Sequence, residues 1–230
     1  MTKWRFLPGE QLERYTLPGE QLELYSPIGL RLIDDFTGNV PIGPIRVYLE
    51  LSDGGGGWQA TDIKATPTLG GILAYPGLER RAEVRGQPPR HYRVQIEADF
   101  YRPLYRMNSG GIEFDAFPYN DTNPPQVVTK QARTVELTPA ANYPFTTHVR
   151  VLRGKVVDSM DNPVVDAEVK RGNTERVLSG ERGAFALPLR WTPDGVAVPV
   201  DAIDHRTGRT GTITITLPQV LRSNQTIVVS

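Results

Sequence analysis

The chain has 230 residues, 39% of them hydrophobic and 23% charged, which is enough apolar mass for one large or two ordinary domains and excludes wholesale disorder. Lysine plus arginine equals aspartate plus glutamate at 26 each, so the basic excess that a dedicated nucleic-acid binder needs is missing. Without a cysteine there are no disulfides, thiolate metal sites or thiol chemistry, while 22 glycines and 20 prolines point to many turns and so to an all-β chain.

The first feature is a repeat. "LPGEQLERYT" at 7–16 is followed at once by "LPGEQLELYS" at 17–26, identical at eight of ten positions. Each copy is short and broken by Pro-Gly, too small to bury its own apolar side chains. Leu12, Tyr15, Leu22 and Tyr25 therefore need a surface from elsewhere and are candidate partner-binding residues. Two readings stand side by side. In one, the repeat is a duplication in a tolerant tail, and the second copy is the lead-in to the first strand. In the other, residues 1–26 are an extended arm whose short strands add to a sheet edge on a neighbouring subunit, and two copies raise the effective concentration of one docking peptide. The start has no apolar signal-peptide core, and no run of about 18 apolar residues follows anywhere. The expected location is therefore the cytoplasm, free or within a large particle.

Strand patterns come next. In "PIRVYLELS" (44–52), Ile45, Val47, Leu49 and Leu51 fall on one side and Arg46, Tyr48 and Glu50 on the other. "HYRVQIEADF" (91–100) and "TITITL" (212–217) alternate in the same way. A period of two marks strands with one buried and one wet face. Breakers such as "DFTGNVP", "SDGGGG", "NSGG", "NDTNPP", "DSMDNP" and "TPDG" separate them. "TPAANYPF" (138–145) reads as a short, stiff linker.

The second half carries the sharper pattern. "GKVVDSMDNPVVDAEVKRG" (154–172) gives a strand, a polar turn and a second strand opening at Val164, and "LSGERGAFALPL" (178–189) follows. Gly154, Val156, Asp158, Pro163, Val164, Ala167, Val169, Gly183 and Phe185 fit the pattern Gly-x-Val-x-Asp, Pro-Val-x-x-Ala-x-Val, then Gly-x-Phe. On these residues the region 147–230 resembles the carboxypeptidase regulatory-like domain, a small transthyretin-like sandwich. Ser179 stands where that family commonly has Thr, and Asp166 where it has a small residue. The resemblance implies a fold and not a reaction, since no His-x-x-Glu zinc motif accompanies it. "GLRLIDDFTGNVP" (29–41), "TLGGILAYPGL" (68–78) and "YRVQIEADFYRPLY" (92–105) repeat the plan more loosely. The expected fold is all-β: two tandem antiparallel Ig-like or transthyretin-like β-sandwiches, at 27–146 and 147–230, behind an N-terminal arm at 1–26.

Candidate chemistry is sparse. His91, His148 and His205 are far apart in sequence, and a metal site would need all three to converge. "DGGGGW" (53–58) lacks the Gly-Lys-Ser/Thr end of a phosphate loop and reads as a hairpin tip. Asp34 and Asp35 lack calcium-loop spacing. "GIEFDAFPYNDTNPP" (111–125) sets Phe114, Phe117 and Tyr119 beside Asp115 and Asp121. That loop either closes over its own core or offers aromatics to a partner protein or a sugar. There is no nucleophile elbow and no grouping of histidine with carboxylates in the sequence. The expectation is a non-enzymatic adaptor in a larger, symmetric assembly of protein subunits, with no cofactor, metal, nucleic acid or small-molecule ligand. Its layout is similar to that of β-sandwich accessory proteins at the cap or baseplate of phage-tail-like contractile injection systems. The alternative is a carbohydrate- or surface-binding module that uses the 111–125 aromatics.

Overall fold

A computed structural model describes residues 16–17, 20–21, 24–125, 132–173 and 175–230. Among them the protein is nearly all β. The strands are β1 Thr16–Leu17, β2 Glu20–Gln21, β3 Gly29–Asp34, β4 Ile45–Ser52, β5 Trp58–Ala60, β6 Thr66–Pro67, β7 Ile72–Ala74, β8 Arg90–Ala98 and β9 Tyr101–Pro103. They continue as β10 Ile112–Ala116, β11 Arg133–Pro139, β12 Val151–Asp158, β13 Glu168–Arg171, β14 Glu175–Leu178, β15 Ala184–Pro188, β16 Ala197–Asp204, β17 Arg209–Thr216 and β18 Gln225–Val229. Two short 3-10 turns, Leu104–Met107 and Gln219–Arg222, are the helical content among the described residues. Close contacts group the chain into two compact units. The first holds the described residues of Met1–Leu32, Arg46–Ile96 and Gly111–Val135, and the second holds Ile33–Ile45, Glu97–Gly110 and Glu136–Ser230.

In the first unit β8 is the axis. It pairs antiparallel with β10, Val94 opposite Ile112 and His91 opposite Asp115, and it neighbours β4, which pairs with β5. β3 pairs with β7, and β7 with β6. The alternation seen in the sequence is the observed burial. Tyr92, Val94 and Ile96 are buried while His91, Arg93 and Gln95 stay half exposed. Below them Tyr92 stacks on Phe114 at 5.8 Å and donates its hydroxyl to Glu79 at 2.5 Å. Burial, then the Glu79 carboxylate, pushes the Tyr92 hydroxyl up to about 12.

In the second unit β12 lies between β15, antiparallel, and β18, parallel. A four-stranded sheet runs in the order β14-β13-β16-β17. One core joins the two sheets. Leu152, Val156, Phe185, Leu187 and Ile227 come from the first, and Val169, Val177, Val200, Ala202 and Ile215 from the second. Two glycines fix this packing. A Cβ on Gly154 would sit 2.2 Å from the Gln225 carbonyl oxygen, so only glycine lets β18 approach β12 there. Gly183 has φ +69°, and its Cβ would meet the Val156 carbonyl oxygen at 2.3 Å.

Strand ends in the second unit share a device. Asp34, Asp158 and Asp204 each close a turn by accepting backbone N–H groups on their carboxylates: from Phe36 at 2.8 Å, from Met160 and Asn162 at 2.9 Å, and from Arg206 at 3.2 Å. The short side chain satisfies the turn's orphan donors locally.

The structure departs from the sequence reading in four places. Residues 92–105 span two strands and the start of a 3-10 turn, because the chain reverses at Asp99–Phe100 and Tyr101 pairs back on Ala98. Within 111–125, Ile112–Ala116 is strand β10 and not loop. The strand expected from Val164 starts at Glu168, since Asp166 adopts φ +58°, and Val164 instead donates to the Val156 carbonyl at 3.0 Å. Segment 138–145, read as a linker, is packed: Thr138 is fully buried and Tyr143 donates to Asp34 at 2.8 Å.

Candidate functional site

The outer face of β4, β5, β8 and β10 in the first unit is where polar side chains converge. Residues at alternate positions share a face. β8 contributes His91, Arg93 and Gln95, β10 contributes Glu113 and Asp115, β4 contributes Glu50, and β5 contributes Trp58 opposite Ser52. The β4–β5 hairpin tip that positions Trp58 is tied by Asp53, whose carboxylate accepts from Gly55 and Gly57 at 2.8 Å each.

His91 lies between two carboxylates. Its Nδ1 is 2.8 Å from Asp115 and its Nε2 is 3.2 Å from Glu113. A ring that meets an acceptor at both nitrogens is satisfied best when both are protonated. The Asp115 hydrogen bond raises the His91 pKa above its ordinary value, against a smaller opposing effect of burial, and Glu113 adds to the rise. Next to it the Arg93 guanidinium lies 4.3 Å over the Trp58 ring and reaches Glu50 at 2.6 Å, while Gln95 donates to the same Glu50 oxygen at 3.0 Å. The Trp58 and His91 rings are 5.4 Å apart. The His91 ring, the Arg93 guanidinium, the Gln95 amide and the Glu50, Glu113 and Asp115 carboxylates are thus paired with one another across the face. Among the described residues no group of three or more His, Asp or Glu is arranged to hold a metal ion.

The candidates from the sequence are placed differently. Leu12, Tyr15 and Leu22 lie outside the described residues. Tyr25 packs edge-on against Tyr119 at 5.4 Å, and its N–H donates to the Tyr119 hydroxyl at 3.2 Å. Tyr119 and Phe114 are buried, 2% and 7% exposed, whereas Phe117 is 48% exposed. The 111–125 segment thus presents one of its three rings and packs the other two into the unit's own interior. The cause is the register of β10, which turns Phe114 and Ala116 inward and Glu113 and Asp115 outward. Asp34 is also internal, accepting from the Tyr101 and Tyr143 hydroxyls at 3.2 and 2.8 Å. His148 meets Thr146 and His205 meets Glu168, so the three histidines do not converge.

No protein-family model matches the chain, and a search of curated proteins returns no match. Among solved structures it is similar to the Bacillus anthracis TIE protein at 12% identity, with 90% of this chain and 33% of that one covered and a TM-score of 0.28. It is also similar to a Streptococcal ancillary pilin, at 14% identity, 90% and 63% coverage and a TM-score of 0.22. A third similar structure is a C-terminal fragment of the pilus adhesin SpaC from Lactobacillus rhamnosus GG, at 12% identity, 88% and 95% coverage and a TM-score of 0.21. The chain spans about a third of the length of the first of these and under two thirds of the second.

Proposed function

We propose that the protein is a non-enzymatic assembly module that joins further copies of itself through the outer face of β4, β5, β8 and β10. The observation that supports this is the fixing of side chains around Trp58, His91 by Asp115 and Glu113, and Arg93 and Gln95 by Glu50. Ordering a free side chain on contact costs about 0.5–1.5 kcal/mol, and these side chains are ordered beforehand. Tryptophan and arginine are also the residue types that most often carry interface energy. Light scattering across a wide concentration range tests the reading. Masses above one chain are expected, falling to a single chain in a Trp58→Ala/Arg93→Ala variant. A parent that stays monomeric at every concentration would overturn it.

The finer readings stand beside this one as proposals. A transthyretin-like sandwich at 147–230 is supported by the close backbone approach at Gly154 and Gly183 and by the burial of Phe185. The looser copy at 27–146 rests on sequence pattern. The cap or baseplate of a contractile injection system gains no support from the structural neighbours.

A further inference from the structure

A second cluster lies in the second unit. Asp166 is 4% exposed and sits in the turn before β13 at φ +58°. Its carboxylate receives three guanidinium groups. Arg102 Nε is 2.9 Å and Arg106 Nε 3.5 Å from one oxygen, and Arg206 Nη2 is 2.6 Å from the other. Arg206 also donates to the Arg106 backbone carbonyl at 2.8 Å. Three cations on one anion leave two positive charges uncompensated. The neighbouring carboxylates do not remove them. Glu168 is paired with Lys170 at 3.5 Å, and Asp204 with Arg209 at 3.0 Å.

Each guanidinium has five N–H donors, and Asp166 occupies a minority of them. The Arg102 side chain is 15% exposed, so its charge is held in partly desolvated surroundings, while those of Arg106 and Arg206 are 38% and 50% exposed and open to solvent. Like charges held this close repel unless a second anion shares them. Planar guanidinium forks suit carboxylate and phosphate oxygens alike.

We propose that Arg102, Arg106 and Arg206 form an oxyanion-binding site in which Asp166 positions the guanidinium groups and their remaining donors hold a phosphate or carboxylate group. The test follows the arginine Nε–H resonances of 15N-labelled protein as sodium phosphate replaces sodium chloride at constant ionic strength, with sodium acetate in a parallel series. Saturable shifts of Arg106 and Arg206 are expected, with affinity at least tenfold weaker in Arg106→Gln/Arg206→Gln. Saturation by phosphate alone assigns a phosphate ligand, and saturation by both anions assigns oxyanions generally. Should the double variant lose its fold, Arg206→Lys keeps the charge without the fork and should weaken phosphate several-fold. Shifts that grow linearly and equally with every anion would overturn the site, as would saturation that the substitutions leave unchanged.

Discussion

Replacing Gly183 by alanine tests the core of the second unit most directly. The residue has φ +69°, and an L-residue in that region costs roughly 1–2 kcal/mol. The added Cβ would also stand 2.3 Å from the Val156 carbonyl oxygen. That oxygen cannot move freely, because it accepts the Val164 N–H at 3.0 Å, and the Val156 N–H donates to the Gly183 carbonyl at 2.8 Å. Val156 is fully buried, so a displaced carbonyl leaves a polar group unpaired, at about 1–3 kcal/mol. The two effects together give about 2–5 kcal/mol, a large share of a typical domain stability of about 5–15 kcal/mol. Gly172 supplies the control. It has φ +63° but nothing within 4 Å of its would-be Cβ, so Gly172→Ala should show the backbone cost alone. Urea unfolding followed by circular dichroism compares the two variants with the parent. A Gly183→Ala loss no larger than that of Gly172→Ala would refute the close contact with Val156.

Phe185 is 1% exposed and reaches residues of both sheets, so Phe185→Ala should cost about 3–5 kcal/mol in the same unfolding assay. Tyr143→Phe removes the 2.8 Å hydrogen bond to the buried Asp34 carboxylate and should cost about 1.5–3 kcal/mol, whereas an unchanged midpoint would mean that the bond is not made. The His91 ring should titrate by NMR above its ordinary value of about 6.5, and Asp115→Asn should lower that pKa, since the Asp115 hydrogen bond is the largest cause of the rise. A raised pKa stabilises the fold fully below the unfolded value and ceases to do so as pH climbs through the folded one, so the contribution of His91 should fade above about pH 6.5. An Asp115→Asn titration identical to the parent would show that the carboxylate does not face the ring.

Strands with strict alternation were legible in the sequence. Leu49, Val94 and Ile215 are buried where the period of two puts them. Short strands were not. "IEFDA" alternates over five residues, but the asparagines and prolines after it made the whole segment read as loop. β14 was obscured because its first residue, Glu175, looks like a surface charge. Its carboxylate is buried, accepts the Arg190 and Trp191 N–H groups at 2.5 and 2.8 Å and pairs with Arg171, contacts that depend on tertiary structure. The candidate sites failed to show for a related reason. Once β10 is recognised, Glu113 and Asp115 can be placed on its wet face, but setting Asp115 opposite His91 needs the register with β8. The arginines around Asp166 are separated from it by 40 or more positions, and spacing gives no hint of such a grouping. One local signal was there to find. "IDDFTG" at 33–38 and "IDHRTG" at 203–208 share Ile-Asp-x-x-Thr-Gly, and in both the glycine N–H donates to the aspartate carbonyl at 2.7 Å.

The repeated decapeptide can be tested by the part of it that the first unit uses. Tyr25 and Ser26 end the second copy. The Tyr25 carbonyl accepts the Gly77 N–H at 3.0 Å and its N–H meets the buried Tyr119 hydroxyl, while the Ser26 hydroxyl accepts from the Tyr75 N–H at 2.9 Å and donates to the Ile28 carbonyl at 2.6 Å. Tyr15 and Thr16 end the first copy, and a threonine hydroxyl has the same donor and acceptors as that of serine. Removing residues 17–26 joins Thr16 to Pro27 and offers the same tyrosine, followed by an equivalent hydroxyl, to the same partners. The cost should be about 1 kcal/mol or less, set by fitting one extra methyl group. Removing residues 7–26 puts Arg5 and Phe6 before Pro27, so the backbone groups are still offered, but the Tyr75 N–H loses its hydroxyl acceptor and Tyr119 loses the Tyr25 ring. One buried orphan at about 1–3 kcal/mol and the lost ring pair at about 0.5–1.5 kcal/mol give a loss of roughly 1.5–4.5 kcal/mol. Urea midpoints of the two deletions against the parent decide the matter. If the deletions are equally damaging, the copies are not interchangeable and the second alone is fitted to the first unit. If the shorter deletion is tolerated and the longer one is not, one copy is a strap of the fold and the other is surplus to it, and only the surplus copy is left to reach another subunit.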